Sequence, residues 1–285
     1  MFEHVLEKGN LDNNMDWIYG KTVLITGASS GIGRALTIKL ISEHGCKVIG
    51  IGQSEPKMMS IKDELSYQRD EFQYKVFDVS KKENWEKFAW ELKEHNTIVD
   101  ILINNAGMLL PFDKSTHYRE EQIQQCMDVN FNACRYAVNN MLPILRRSTM
   151  PAIINVSSSG ALAPIVGTSI YSASKAALKA YSECLIGELG REMYIAYVCP
   201  GFAKTDIFRN QYFVSDSKLI RMFSASADKM ASKIIKKMIK QKARMIIGKD
   251  AKFMNFTSKF FPVLGLKFYE LIIKNSNIRM FENIR

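Results

Sequence analysis

The sequence predicts an α/β fold, a single doubly wound domain whose central parallel sheet of about seven strands is covered by helices on both faces. Short apolar runs rich in β-branched residues alternate with amphipathic segments, and this alternation implies a parallel sheet between helices. The first apolar run leads into a glycine-rich turn and then a helical pattern. With 285 residues, 47% hydrophobic and 24% charged, the chain is not disordered, collagen-like or disulfide-stapled.

Each element follows from a local pattern. TVLIT predicts the first strand, over residues 22–26, and the apolar spacing after the turn predicts a helix to about residue 45. The polar stretch between the second and third strands is long enough for a helix. The remaining strands are predicted over residues 47–52, 72–80, 99–107, 152–160, 194–201 and 244–248, and the remaining helices over residues 82–95, 117–146, 171–190 and 228–242.

The elements fit one domain over residues 20–248, with an N-terminal extension over 1–19 and a basic, aromatic C-terminal extension over 249–285. The sequence contains no internal repeat, low-complexity segment or linker. Uninterrupted apolar runs stay below the roughly 18 to 20 residues that cross a bilayer, and the N-terminus lacks a secretory pattern. We therefore expect a cytoplasmic protein.

Five scattered cysteines lack a CxxC pair and lack a histidine at metal-ligand spacing. We expect reduced, mostly buried thiols and no metal site.

Positive charge is concentrated near the C-terminus. Residues 218–285 hold sixteen basic and four acidic residues, a net charge of +12, whereas the whole chain carries +10. Such asymmetry favours an anionic partner, either a membrane surface or an acidic ligand. A solvated lysine-rich face is an equally good explanation. Nucleic acid is not expected, because the aromatic residues are mixed with aliphatic ones rather than set on a polar platform.

The turn after the first strand has the spacing GxxxGxG and predicts a phosphate site. Backbone N–H groups of such a turn can approach a pyrophosphate, and the helix N-terminus adds partial positive charge. Tight turns also use glycine for steric reasons alone. The predicted dinucleotide-binding residues here are Gly27, Ser29, Ser30, Gly31, Ile32 and Gly33.

The end of the second strand favours NADP(H) over NAD(H). An Asp or Glu there often holds the ribose 2′-OH, but this chain has Gly52, Gln53 and Ser54. Without a carboxylate, a 2′-phosphate meets no like charge, and Gln53 or Ser54 could donate hydrogen bonds to it. The positive charge would have to come from Lys57 or Arg34.

Asp78 and Val79 end the third predicted strand. Asp78 is a candidate partner for the adenine amino group, although Asp before a loop is also a common turn former.

The segment YSASK places Tyr171 and Lys175 on one face of a helix. A phenol has a pKa near 10 in water, and a nearby ammonium favours phenolate. Lys175 could therefore let Tyr171 exchange a proton with an alcohol or carbonyl oxygen. An exposed Tyr and Lys at this spacing also occur by chance.

Several motifs together resemble the short-chain dehydrogenase/reductase family, in particular its hydroxysteroid dehydrogenase-like members. TGASSGIG, NNAG, Asn130, SSSG, YSASK and the PG at 200–201 stand in the family order over about residues 20–210. The resemblance implies a Rossmann-type NAD(P)(H) oxidoreductase with an Asn, Ser, Tyr and Lys tetrad.

The resemblance also implies roles for the tetrad. Tyr171 is the general acid/base, and Lys175 lowers its pKa while contacting the nicotinamide ribose. Asn130 holds a water in the proton relay toward Lys175. Ser158, 13 residues before Tyr171, orients the substrate, with neighbouring serines at 157 and 159 as alternative registers.

Further cofactor contacts follow from the same resemblance. Asn105, Ala106 and Gly107 lie beside the adenine ring. Pro200 and Gly201 open the loop on the nicotinamide side, where Thr205 contacts the carboxamide or the pyrophosphate.

An apolar cleft is expected around the nicotinamide. The predicted substrate is a hydrophobic secondary alcohol or ketone, such as a steroid or another lipid. The residues expected to line this cleft are Met108, Leu109, Leu110, Pro164, Ile165, Val166, Phe202, Ile207, Phe208, Tyr212 and Phe213.

The C-terminal extension interleaves phenylalanines with lysines, which suits a membrane interface. We expect this extension to contact a membrane peripherally or to cover the entrance of the substrate cleft. The alternatives are that it only packs on the domain or that it forms a dimer contact. The family resemblance also implies a homo-dimer or homo-tetramer that pairs through the helices 117–146 and 171–190. The competing hypothesis for the whole chain is a non-catalytic NAD(P)-binding regulatory or membrane-associated scaffold protein.

Overall fold

A computed structural model describes residues 16–204, 225–275 and 279–284. Seven parallel strands within these residues form one sheet in the order β3-β2-β1-β4-β5-β6-β9. The two remaining strands pair only with each other. The strands are β1 (Thr22–Thr26), β2 (Lys47–Gly52), β3 (Phe72–Val76), β4 (Ile101–Asn104), β5 (Ala152–Val156), β6 (Tyr194–Pro200), β7 (Ala203–Lys204), β8 (Ala225–Ser226) and β9 (Arg244–Ile247).

Helices cover both faces of this sheet, so the predicted doubly wound fold is confirmed. The α-helices of the described ranges are α1 (Gly31–His44), α2 (Glu55–Leu65), α3 (Lys82–Glu94), α4 (Glu120–Met127), α5 (Ala133–Leu145), α6 (Ser169–Leu189), α7 (Ala227–Ile239), α8 (Lys249–Phe260) and α9 (Pro262–Asn275).

The alternating side chains of the strands divide the core into two layers. In β1, Val23 and Ile25 pack with α1, α2 and α7, whereas Leu24 packs on the opposite face with α3, α5 and α6. All three side chains are buried because a parallel sheet is covered on both faces. On the α3 side, Trp85 is fully buried, and its indole N–H donates to the Val79 carbonyl oxygen at 2.8 Å.

The helix predicted over residues 117–146 is present in two parts. α4 and α5 are joined by a π-helical segment over Asp128–Asn132, which inserts an extra residue into the helical turn. Asn130 lies in this segment and is buried. The irregular turn thus carries a residue of the predicted tetrad.

Three strands end three or four residues earlier than predicted, at Val76, Asn104 and Val156. The residues that follow use their polar groups to build turns instead of sheet. After β3, the Asp78 carboxylate accepts from the backbone N–H of Ser80 at 2.9 Å and from its hydroxyl at 2.8 Å. These segments lie where ligands bind to parallel sheets, beyond the strand ends.

Residues next to the predicted domain boundaries pack on the sheet domain. Ile18 is fully buried in the core, and the Trp17 indole donates to the Met238 carbonyl oxygen of α7 at 3.1 Å. α7 itself buries Met230 and Ile234 against the sheet side. The start of the sheet domain at residue 20 remains a prediction, although Trp17 and Ile18 before it pack on this domain.

The C-terminal extension folds into two helices, α8 and α9, that pack against each other. α8 buries Ala251, Met254 and Thr257, and α9 buries Gly265 and Ile273. No described helix has both the length and the apolar character that crossing a membrane requires.

Candidate active site

A cleft opens at the carboxyl ends of β1, β4, β5 and β6, beside the point where the strand order reverses. This place is the usual ligand site of an open parallel sheet. The cleft encloses about 1030 Å³ of empty space, including the part open to solvent. It is lined by Gly27, Ser30, Gly31, Ile32, Asn105, Ala106, Gly107, Leu109, Phe112, Val156, Ser157, Ser158, Ser159, Gly160, Ile165, Thr168, Tyr171, Lys175, Pro200, Gly201, Phe202 and Ala203.

The glycine turn after β1 is built without room for side chains. Gly27 and Gly31 have positive φ angles of 67° and 53°, which favour glycine. A Cβ on Gly33 would overlap with the Gly27 carbonyl oxygen, so this glycine lets the helix return close to the strand. Gly33 therefore supports the turn from outside the cleft.

The start of α1 fits a dinucleotide pyrophosphate. Ser30 precedes the helix but makes no side-chain cap hydrogen bond, and the first turn carries no acidic residue. The first N–H groups of a helix have no intrahelical partner and attract anions. Gly31 and Ile32 of this turn line the cleft. The residues present therefore fit the pyrophosphate of a dinucleotide.

The second strand ends beside this turn. A Cβ on Gly52 would lie 3.2 Å from the Ser29 hydroxyl oxygen, so Ser29 is next to the end of β2. Gln53 is exposed, and Ser54 is the N-cap residue of α2. Arg34, one of the two cations considered for a 2′-phosphate, forms a salt bridge with Glu64.

Six of the described cofactor-binding residues predicted from the sequence do not line the cleft: Ser29, Gly33, Gln53, Ser54, Asp78 and Val79. Asp78 forms the turn described above, the alternative that its position before a loop also allowed. Val79 is buried against the Trp85 layer.

The segment after β4 is fixed to the glycine turn. The Thr26 hydroxyl oxygen accepts from the backbone N–H groups of Asn105 and Ala106, each at 3.0 Å. The Asn105 side-chain amide donates to the Thr26 carbonyl oxygen at 3.0 Å. These bonds hold two strand ends together and leave the backbone of Gly107 facing the cleft.

Tyr171 and Lys175 lie one helical turn apart in α6, and both line the cleft. The Lys175 ammonium donates to the Val156 carbonyl oxygen at 3.1 Å. Burial lowers the pKa of Lys175 to about 8. Burial also raises the pKa of Tyr171 to about 12, although a hydrogen bond with Ser158 lowers it in part. In the protein alone, the phenol is therefore protonated at neutral pH, and the lowered pKa expected from Lys175 is not present.

The first two of the three serines after β5 make different contacts. The Ser158 hydroxyl bonds to Tyr171 and also accepts from the backbone N–H of Gly160 at 3.0 Å. The Ser157 hydroxyl instead donates to the Lys175 carbonyl oxygen at 2.8 Å, toward the α6 backbone. Ser158 is therefore the serine of this stretch that reaches the phenol.

Asn130 is bonded on all sides. Its carbonyl oxygen accepts from the Met108 N–H at 2.8 Å, and its amide donates to the Met108 carbonyl oxygen at 2.9 Å and to the Ser174 hydroxyl at 3.0 Å. A Cβ on Gly107 would lie 3.1 Å from both the Asn130 side-chain oxygen and the Lys175 ammonium. Asn130 thus lies behind Gly107, next to Lys175 rather than in the cleft.

The Pro200 to Ala203 segment forms another wall and contacts the C-terminal extension. The Asp250 carboxylate, at the start of α8, accepts from the Phe202 N–H at 2.5 Å. A side chain on Gly201 would overlap with this carboxylate. Burial raises the pKa of Asp250. Sequence reasoning missed Asp250 because no local pattern links residues 48 positions apart.

The predicted apolar wall is present in part. Leu109, Ile165 and Phe202 line the cleft, together with Phe112 and Thr168, which were not predicted. Met108, Leu110, Pro164 and Val166 do not line it. Five predicted residues, Thr205, Ile207, Phe208, Tyr212 and Phe213, lie outside the described ranges.

Comparison with known proteins identifies the family of this chain. The short chain dehydrogenase family matches residues 21–213. An 11-beta-hydroxysteroid dehydrogenase-like 2 protein of Arabidopsis thaliana is 34% identical over 199 residues, which cover 68% of this chain and 63% of that protein. An NADPH-dependent pterin aldehyde reductase of the same plant is 28% identical over 218 residues, 76% of this chain and 89% of that protein.

The fold is also found in a solved structure. An alcohol dehydrogenase from the archaeon Thermococcus sibiricus superposes with a TM-score of 0.70 at 23% identity, covering 80% of this chain and 96% of that one. The family match spans more than half of the chain, from the glycine turn through Tyr171 and Lys175. The chain belongs to the short-chain dehydrogenase/reductase family and is an NAD(P)-dependent oxidoreductase.

Proposed function

We propose that this protein transfers a hydride between NADP(H) and a secondary alcohol or ketone on a hydrophobic substrate, with Tyr171 as the general acid/base. The observation that carries the proposal is the convergence of Ser158, Tyr171 and Lys175 on the cleft that the glycine turn opens. A bound nicotinamide supplies or accepts the hydride. The protein's own task is to deliver or remove the proton at the substrate oxygen.

The hydroxyl groups of Tyr171 and Ser158 are placed for that task. Both line the cleft and are bonded to each other, so a carbonyl oxygen between them could accept from two donors. The phenol is protonated at neutral pH, because burial raises its pKa to about 12. This is the state that donates a proton when a ketone is reduced.

Lys175 and Asn130 complete the proposed tetrad. The pKa of Lys175 is lowered to about 8, so its ammonium exchanges protons near neutral pH. Asn130 fixes Met108 on both backbone groups. We propose that Lys175 serves the proton relay and that Asn130 holds the wall beside it.

The preference for NADP(H) rests on the end of β2. The strand ends in Gly52 and the exposed Gln53, with Ser29 adjacent to Gly52, and no carboxylate occupies this position. A 2′-phosphate therefore meets hydrogen-bond donors rather than a like charge. The NADPH-dependent relative supports the same preference. The salt bridge of Arg34 with Glu64 would have to open for Arg34 to take part.

The hydrophobic substrate is proposed from the cleft wall. Leu109, Phe112, Ile165 and Phe202 line the same cleft as Tyr171 and Ser158. Such a wall suits a steroid or another lipid-like ketone. The hydroxysteroid dehydrogenase-like relative points to the same class.

The experiment is a titration of the purified protein with NADPH and NADH, followed by a ketone panel in the preferred cofactor. The panel contains steroid ketones, long-chain ketones, aromatic ketones and small polar sugars. We expect tighter binding of NADPH and turnover of the apolar ketones. Turnover confined to sugars would overturn the substrate class. Tight NADPH binding without turnover of any ketone would favour the non-catalytic scaffold.

We propose a homo-dimer or homo-tetramer that pairs through α4, α5 and α6, and light scattering on the purified protein tests it. We also propose a cytoplasmic location, which suits five free thiols, four of them buried. Cell fractionation tests this location.

A further inference from the structure

The C-terminal hairpin of α8 and α9 carries a continuous exposed apolar surface. Eighteen large apolar side chains are exposed among the described residues, and ten of them lie within residues 253–272. The other eight are scattered over the rest of the described chain. The ten residues, called the apolar face below, are Phe253, Phe256, Phe260, Phe261, Val263, Leu264, Leu266, Phe268, Leu271 and Ile272.

The apolar face is a property of a folded hairpin. α8 buries Ala251 and Met254 beneath it, and α9 buries Ile273. The two helices meet where Gly265 packs on Thr257 and where the Thr257 and Tyr269 hydroxyl groups are bonded to each other. The face is therefore the outer side of helices whose inner sides are already packed.

Aromatic rings join the two helices across the face. The rings of Phe253 in α8 and Phe268 in α9 are 6.3 Å apart, centre to centre. Phe256 packs against Phe260 at 5.0 Å and against Phe261 at 6.2 Å. The exposed side chains form one patch rather than isolated residues, and patches of this kind mark interaction sites.

The hairpin that carries the patch is also rich in lysine. Five lysines lie on the hairpin, Lys249, Lys252, Lys259, Lys267 and Lys274. Its two acidic residues are engaged within the protein, Asp250 with the Phe202 N–H and Glu270 in a salt bridge with Lys274. The Lys259 ammonium lies 5.5 Å from the centre of the Phe260 ring, at the border of the apolar face.

The combination of an apolar face with nearby lysines distinguishes between the partners that could cover this face. A second copy docked face to face would bring lysine against lysine around the contact. An anionic bilayer instead places lipid phosphates and carboxylates around the apolar side chains, where long lysines reach them. Aromatic and aliphatic side chains with a basic border are the composition of helices that lie in a membrane interface.

We propose that the apolar face of α8 and α9 docks onto the surface of an anionic lipid bilayer. The same hairpin holds the cleft wall, because Asp250 at its start bonds to Phe202. Docking would therefore keep the mouth of the cleft close to the lipid. The docking proposal does not depend on which ketone the enzyme reduces.

The test is flotation of the full-length protein with lipid vesicles. The vesicles are phosphatidylcholine alone or phosphatidylcholine mixed with phosphatidylserine. We expect the protein to float with the phosphatidylserine vesicles and to stay largely unbound with phosphatidylcholine alone. Raised salt should weaken the binding, since lysine contacts to lipid headgroups are screened.

Two variants locate the binding surface. Phe260→Asp combined with Leu264→Asp should reduce the vesicle-bound fraction at least tenfold. The matched control is Tyr67→Asp combined with Trp90→Asp, because both are exposed apolar residues outside the hairpin, at 90% and 61% exposure. The control should float as the unchanged protein does. A third variant, Lys259→Glu with Lys267→Glu, keeps every apolar residue and should also lose binding.

Three results would overturn the proposal. The first is an unchanged protein that fails to float with phosphatidylserine vesicles. The second is equal flotation of the hairpin variants and the Tyr67 and Trp90 control. The third is a combination of two observations: the unchanged protein does not bind vesicles, and light scattering shows a dimer that dissociates when Phe260 and Leu264 are replaced. A second copy of the chain would then cover the apolar face. Circular dichroism confirms that each variant is folded.

Discussion

The Asp250 carboxylate accepts a hydrogen bond from the Phe202 backbone N–H at 2.5 Å and so ties the C-terminal extension to the cleft wall. The other carboxylate oxygen is buried and has no hydrogen-bond partner among the described residues. Gly201 makes the approach possible, because any side chain there would overlap with Asp250. Asp250 is therefore a positioning residue for the segment that carries Pro200 to Ala203.

Replacing Asp250 with Ala should loosen this wall. The Phe202 N–H would lose its partner, and an unsatisfied buried donor costs about 1 to 3 kcal/mol. We expect a lower free energy of unfolding in urea and a higher KM for NADPH. Asp228→Ala is the control, because Asp228 makes an exposed salt bridge with Lys39. Equal effects of the two substitutions on KM would contradict the positioning role.

Asn130 fixes the backbone of Met108, which lies between the cleft-lining residues Gly107 and Leu109. Asn130→Ala would leave both the N–H and the carbonyl oxygen of Met108 without partners, so we expect a loss of about 2 kcal/mol or more in the free energy of unfolding. Asn130→Asp keeps the acceptor for the Met108 N–H but loses the donor for the Met108 carbonyl oxygen. Its free energy of unfolding should lie between those of the unchanged protein and Asn130→Ala. Urea unfolding of the three proteins checks this order. A fully stable Asn130→Ala protein would show that the network is dispensable.

The buried Lys175 should make stability depend on pH. Its pKa is about 8 in the folded protein and near its usual 10.5 when unfolded. Between these values the unfolded chain binds more protons, so the contribution of Lys175 to stability rises with pH, by about 1.4 kcal/mol per pH unit. Lys175→Met removes this slope. The free energy of unfolding of Lys175→Met should exceed that of the unchanged protein most at pH 7, and this difference should shrink toward pH 10.

Urea unfolding from pH 7 to pH 10 measures that difference, and the titration of other groups cancels between the two proteins. Lys179→Met, on the next turn of α6 and in a salt bridge with Glu183, is the control. A constant gap between Lys175→Met and the unchanged protein would show that the ammonium is not destabilised by burial.

Gln53 tests the cofactor preference. Gln53→Asp places a carboxylate at the end of β2, where it repels a 2′-phosphate and can accept from a 2′-hydroxyl. We expect the ratio of kcat/KM for NADPH over NADH to fall at least tenfold, about 1.4 kcal/mol. Gln73→Asp, exposed on β3, is the control. A ratio unchanged in Gln53→Asp would place the 2′-phosphate elsewhere.

The sheet and most helices could be predicted because local pattern and tertiary structure agree. The TVLIT run is buried on both faces as β1, and the parallel order follows from alternation with helices. The strand ends were harder to predict. The Asp78 carboxylate stabilises the turn after β3 by accepting hydrogen bonds from Ser80. The sequence FQYKVFDVS carries no signal that separates the last strand residue from the first turn residue.

The placement of the candidate site residues was predictable where those residues belong to a sequence motif. The glycine turn, Ser158, Tyr171 and Lys175 line one cleft, as expected. The environment of these residues was not predictable. The spacing and the family resemblance predict that Lys175 lowers the pKa of Tyr171, whereas in the protein alone burial raises this pKa. Ser174 and Asp250 act through long-range contacts, with Asn130 and Phe202, that leave no trace in local sequence.

The most direct test of the proposed function is the turnover of Tyr171→Phe with NADPH and an apolar ketone that the unchanged enzyme reduces. Removing a general acid should slow turnover by roughly 10² to 10⁴ fold, while NADPH affinity changes little. Tyr181→Phe, ten residues later in α6, is the matched control and should keep full activity. Equal turnover by Tyr171→Phe and the unchanged enzyme would contradict the assignment of Tyr171 as the proton donor.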